Sequence, residues 1–225
     1  MVGAAFPRPS PETYTALFVG APEKRSFFGV TPGPPRSLLR GVIKDMNTYV
    51  SMLRGINVGG KKRIQMQQLV ALYESLGLSN VRTYVQSGNV VFDSAAADAS
   101  RLARLIEEGI TKTFGFSAAV VIRTKDELRR IVESNPFLKD NEIDIDKLHV
   151  TFLSGYPHEA GLDQARAAGD GSDSFVVLDR EVYLHCPNGY GRTKLSNDFF
   201  EKKLKVTGTT RNWRTVTALL QIVGG

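Results

Sequence analysis

Between residues 46 and 122 the hydrophobic period changes from strand-like to helix-like and back in a fixed order, and this limits the folds open to the chain more than anything else in it. Residues 47–53 (NTYVSML) are short and rich in strand formers, and they run into a loop, residues 54–63 (RGINVGGKKR), marked by Gly55, Gly59 and Gly60. Met66, Leu69, Val70, Leu72, Tyr73 and Leu76 then recur at the three- and four-residue spacing of an amphipathic helix, which Gly77 ends. Residues 81–85 and 90–92 are two strands separated by Gln86, Ser87, Gly88 and Asn89, a turn in which Gly88 can take a positive φ. Leu102, Leu105, Ile106, Ile110 and Phe114 trace a second helix, and residues 118–122 (AAVVI) a fourth strand. The order βαββαβ is that of ferredoxin-like folds. Because AAVVI and VVF are apolar at consecutive positions, both sheet faces should be covered, one by helices and the other by the rest of the chain.

The remainder reads as a looser second copy. Helices are expected near 125–133 and 159–168, with a strand at 148–153 between them. A hairpin follows at 174–178 and 182–185, turning at Asp179 and Arg180, and helices near 195–204 and 211–222 close the chain. The predicted fold class is therefore α+β: two ferredoxin-like (βαββαβ-type) units packed together. The first spans 46–122; the second, over 123–222, is less regular and carries C-terminal helices, and 223–225 are a tail. Seven of the ten prolines (Pro7, Pro9, Pro11, Pro22, Pro32, Pro34, Pro35) lie in the first 45 residues. Proline's fixed φ and missing N–H rule out a long helix or central strand there. Residues 1–45 are accordingly read as a disordered extension, or as the product of a start assigned upstream of a true start near Met46. They hold no apolar stretch of secretory type, and the prolines interrupt the amphipathic helix of a presequence.

No apolar run approaches the ~18 residues of a membrane span. Cys186 is the single cysteine, so no internal disulfide can form, and a reducing, cytoplasmic setting is the expectation. The net charge of +6 is unevenly spread: +3 over residues 1–45, +4 over 46–65, +5 over 190–225, and −6 over the long middle. Two basic blocks around an acidic middle point to local anion sites rather than to a general polyanion binder, provided the fold brings them together.

Topology supplies the link. In a βαββαβ sheet the third strand lies between the first and second, so the first βα loop and the central hairpin share one rim. That rim would gather Arg54, Asn57, Gly59, Gly60, Lys61 and Lys62 with Gln86, Ser87 and Asn89: cations, neutral amides, and glycines that let backbone approach a ligand. Such a set suits a phosphate or carboxylate, although its spacing matches no standard phosphate loop, and a tight turn also requires Asn and Gly. Two later segments add cations. Gly189, Tyr190, Gly191, Arg192, Thr193 and Lys194 precede a helix, whose N-terminus favours anions. Thr210 reads as the N-cap of the last helix, with Arg211, Asn212 and Arg214 near its start and Trp213, Val216 and Leu220 on its core face. Lys194, Arg211 and Asn212 thus complete the candidate ligand-binding set.

Other chemistries find less in the sequence. His149, His158, His185 and Cys186 have no metal-ligand spacing, so no metal site is expected. Ser87 lies outside any G-x-S-x-G elbow, and Asp140, Glu142, Asp144 and Asp146 lack the glycine and final glutamate of a calcium loop. An RNA-recognition sheet would need exposed aromatics on its central strands, where the third strand offers only Phe92.

The segments RGINVGG (54–60), RTYVQSGNVVF (82–92), RTKLSNDFFEKKL (192–204) and TTRNWRTV (209–216) resemble those of the bacterial family known as domain of unknown function 1697. The resemblance spans about residues 46–222 and implies paired ferredoxin-like units. It implies no activity, cofactor or catalytic residue. The functional expectation is a cytoplasmic module binding a small phosphate- or carboxylate-bearing ligand at the rim. The alternatives are a nucleic-acid-binding protein using the same cations, and an enzyme of a phosphorylated metabolite, for which no general base stands out. Catalytic residues, cofactor and oligomeric state are not legible in the sequence.

Overall fold

The computed structural model describes residues 46–166 and 171–224. The reading of residues 1–45 lies outside the described residues. The described chain forms two four-stranded antiparallel sheets and six α-helices.

The first sheet is built from β1 (Asn47–Leu53), β2 (Ser79–Tyr84), β3 (Asn89–Ser94) and β4 (Val120–Thr124), in the order β2-β3-β1-β4. The βαββαβ pattern predicts this order. Helices α1 (Met66–Ser75) and α2 (Ala99–Phe114) are its two crossovers. Asp98 starts α2 by accepting from the Ser100 and Arg101 amides, and Gly115 ends it in the left-handed conformation. Alternation along the strands sends Tyr49, Leu53, Val90, Phe92, Val120 and Ile122 into a core with α1 and α2. Tyr49 stacks on Phe92 there, and Tyr73 meets the same ring edge-on. Val50, Met52, Val91 and Val121 point the other way, into a core shared with the second half.

The second half repeats this plan. Strands β5 (Leu148–Leu153), β6 (Ser174–Leu178), β7 (Glu181–His185) and β8 (Gly208–Asn212) make a sheet in the order β6-β7-β5-β8. Helices α4 (Glu159–Arg166) and α5 (Asn197–Leu204) cover its outer face. Gly161 allows those helices to touch, since a Cβ on it would sit 2.2 Å from the Lys203 carbonyl oxygen. Each half ends in a further helix, α3 (Lys125–Glu133) after β4 and α6 (Trp213–Gly224) after β8. A Thr124/Glu127 capping box opens α3. The two helices contribute Leu128, Ile131, Trp213, Val216, Leu219 and Val223 to the central core, against Leu148, Val150, Phe152 and Tyr183 of the second sheet. The expectation that both sheet faces are covered holds on these contacts.

The second unit is more regular than the sequence suggested. The last helix begins at Trp213 rather than Arg211, and the residues before it form β8, the inner edge partner of β5. Registers agree in detail: Val50 pairs with Arg123 in the first sheet as Val150 pairs with Arg211 in the second. Likewise Met52 pairs with Asn89 as Phe152 pairs with Glu181.

Candidate functional site

The first βα loop and the central hairpin do meet. Leu53 N–H donates to the Gly88 carbonyl, and Asn57 Nδ2 donates to the Gln86 carbonyl at 2.8 Å and to that of Ile64 at 3.0 Å. Asn57 Oδ1 accepts from Ile64 N–H, so this side chain, at φ 55°, is the loop's internal fastener. Gly88 is needed twice over: its φ is +75°, and a Cβ there would lie 2.7 Å from Ile56 and 2.8 Å from Leu53.

The predicted rim residues divide into two groups. Gly59, Gly60, Lys61, Lys62 and Gln86 are exposed, with the Lys62 ammonium donating to the Ser117 carbonyl. The others are engaged within the fold. Arg54 donates from Nε to Glu201 at 2.7 Å and from Nη2 to Asp198 at 2.5 Å. Partial burial opposes its charge, but the Glu201 and Asp198 carboxylates outweigh this and raise the guanidinium above its ordinary pKa. Asn89 is buried, and its Nδ2 donates to Ser87 Oγ and the Tyr84 carbonyl.

Arg211 lies in β8, not at a helix start, and is 8% exposed. Nε donates to Asn89 Oδ1, Nη1 to Thr209 Oγ1 and the Thr210 carbonyl, and Nη2 to the carbonyls of Leu53 and Ser87. All five N–H groups are used, so this guanidinium braces the two sheets and has no donor for a ligand. Burial pulls it down to about 10, which leaves it charged at neutral pH. Thr210 is a strand residue that donates to Asn197 Oδ1, while Asn212 is the N-cap of α6, accepting from Thr215 N–H. At the other predicted anion site, Ser196 caps α5 through the Phe199 amide, and Asp198 occupies the first turn. The cap thus takes one amide of that helix end, and the Asp198 carboxylate sits near its dipole. Lys194 sits exposed in the segment before it, itself engaged.

What remains open at the rim is a cleft of about 690 Å³, lined by Asn57, Gly60, Arg63, Gln65, Gln68 and Gln86 among others. It includes the start of α1, where Gln65 makes no side-chain cap and no acid stands in the first turn. The first amides of α1 therefore keep their unpaired N–H groups and the positive end of the helix dipole. Arg63 is exposed at the same cleft. The rim expected from the sequence ends at Lys62 and leaves out Arg63, Gln65 and Gln68, although a helix start with neither Ser, Thr, Asp nor Asn before it is a signal for them.

Elsewhere, Phe92 is fully buried between Tyr49 and Tyr73, so the first sheet presents no aromatic platform for bases. Cys186 is buried and its thiol is pushed up to about 11 by desolvation, which keeps it unreactive at neutral pH. No helix among the described residues is long and apolar enough to cross a membrane.

A conserved bacterial protein from Streptococcus pneumoniae of known structure shares this fold, with a TM-score of 0.58 at 22% identity over 80% of this chain and 99% of its own. A comparison with curated proteins finds no match. The family model described as "Protein of unknown function (DUF1697)" matches residues 46–183, well over half of the chain. By that match the chain belongs to the DUF1697 family.

Proposed function

We propose that the protein is a binding module for a small anionic ligand, phosphate- or carboxylate-bearing, seated in the cleft between the first βα loop and the β2–β3 turn. The observation that carries this reading is the uncapped N-terminus of α1 opening on the same cleft as Arg63. Unpaired amides and a positive dipole end favour an anion by ~0.3–1 kcal/mol in exposed settings. The Arg63 guanidinium adds a forked donor, and the neutral amides of Gln65, Gln68 and Gln86 suit hydroxyls beside the anionic group. Arg54, Arg211 and Asn212 are left out of the proposed ligand set: acids hold Arg54, five hydrogen bonds hold Arg211, and Asn212 Oδ1 caps α6.

The test is a thermal-shift screen with inorganic phosphate, sugar phosphates, nucleotides and small carboxylic acids. A ligand should raise Tm for the native chain, and Arg63→Ala should abolish most of that rise while leaving the unliganded Tm within about a degree or two, as befits an exposed side chain. Stabilisation that survives Arg63→Ala would remove the reading. Short oligonucleotides in the same screen check the rival class, whose binding would fall steeply with salt.

A further inference from the structure

A second cleft, of about 350 Å³, lies at the opposite junction, between α3 and the β6–β7 turn. It is at the small end of ligand pockets, ~300–1,000 Å³, and sits where the two units meet, a common place for them. Its lining holds three arginines, Arg123, Arg130 and Arg180, and three acids, Glu127, Asp179 and Glu181. The formal charge of the lining is therefore zero, so the cleft offers no net field to a simple anion or cation. Its open valences are of both kinds. Arg130 is exposed on α3 and its guanidinium has no partner among the described residues. Arg180 uses Nη2 on Glu127 and lies over the Tyr156 ring, 5.8 Å from its centroid. Glu181 is 6% exposed and gives one oxygen to Arg123 Nε at 2.7 Å, while its other oxygen has no hydrogen bond among the described residues. That oxygen is not sealed from solvent but opens on the cleft, where a ligand ammonium can donate to it. Tyr156, 72% exposed, together with Leu178 and Ile131 supplies apolar surface for the body of such a ligand.

We propose that this cleft binds a small zwitterion of the amino-acid class, its carboxylate on Arg130 and its ammonium on the free oxygen of Glu181. The neutral lining favours a ligand that is itself neutral but carries both charges. The site is independent of the rim cleft, since no residue lines both.

Isothermal titration of the full chain with the twenty free L-amino acids tests this, followed by the best binder in its N-acetyl and its carboxamide forms. One or more free amino acids should bind, and each capped form should bind at least tenfold more weakly. Arg130→Ala should remove the preference for the free carboxylate, and Glu181→Gln the preference for the free ammonium. Arg63→Ala should leave this binding unchanged, so a failure at the rim and a failure here are read separately. Absence of binding by all twenty would overturn the proposal. So would an N-acetyl form as tight as the free amino acid, because the site would then be a plain anion site.

Discussion

The two junctions between the sheets are built to one plan from different chemistry. In each, an arginine in the last strand of one unit crosses to the other unit. Arg123 donates from Nη2 to the Leu153 and Arg180 carbonyls, and Arg211 from Nη2 to those of Leu53 and Ser87. Nη1 donates to the preceding carbonyl in both, that of Ile122 or of Thr210. This reciprocity is that of an isologous contact folded into one chain. The difference is the acceptor at Nε: the Glu181 carboxylate for Arg123, the Asn89 amide oxygen for Arg211. Burial works against both guanidinium charges, and only Arg123 has a carboxylate to oppose it. Five protein acceptors hold Arg211 without an anion, which teaches that the brace needs hydrogen bonds more than charge.

Removing the two arginines should nonetheless cost different amounts, because only one of them leaves a charge stranded. Arg123→Met leaves the Glu181 carboxylate buried without a partner, for a loss of ~3–5 kcal/mol. Arg211→Met leaves neutral acceptors unsatisfied, and about 2–3 kcal/mol is expected. Urea denaturation of the two variants gives the comparison directly. Equal losses would mean that the acceptor's charge contributes nothing. In the double variant Arg123→Met/Glu181→Leu, at least half of the first loss should return, because the stranded charge is gone.

These braces also explain what the sequence could and could not convey. The first unit was legible because its strands alternate apolar residues onto two cores, and Gly77 and Gly88 mark its turns. The β6–β7 turn at Asp179 and Arg180 was legible for the same reason. Strand β8 was not. Its inward positions are Thr209, buried to 1% exposure, and Arg211, so the segment GTTRN carries no apolar alternation to read. Polar residues at core positions are where a brace must be, and pattern reading is blind to them. The surroundings of the candidate site residues were legible only in part, for a related reason. Arg54 and Arg211 looked like free cations because their partners Glu201, Asp198 and Asn89 lie on other elements, far off in sequence. Topology did bring the first βα loop and the hairpin turn together, and Asn57 and Gln86 meet there.

A second contrast separates the two junctions at their hairpin turns. Gly88 and Arg180 occupy matching places, each accepting from the residue that ends the neighbouring central strand, Leu53 or Leu153. Gly88 lies flat against Ile56 and Leu53, whereas the Arg180 side chain extends to Glu127 and Tyr156 beside the smaller cleft. Gly88→Ala should therefore cost about 1–3 kcal/mol, from overpacking against the Leu53 Cβ and from a positive φ that alanine resists. Arg180→Ala, by contrast, removes a partly exposed ion pair and should cost under about 1 kcal/mol. Thermal denaturation of the pair would break the contrast if Arg180→Ala proved the more damaging.

The smallest expected effect is the most direct check on the whole comparison. Glu181→Gln turns the charged brace into a neutral one of the kind already present at Asn89. The amide oxygen can still accept from Arg123 Nε, and the amide nitrogen replaces an oxygen that no protein donor satisfies. The lost ion pair is buried, but so is the desolvation penalty of the carboxylate it removes, and the two nearly cancel in such sites. A change within about 1 kcal/mol is therefore expected from urea denaturation at neutral pH. A loss of more than about 3 kcal/mol would show that the Arg123 brace depends on charge after all, and that the Arg211 brace survives only because Thr209 Oγ1 supplies an acceptor for which Arg123 has no counterpart.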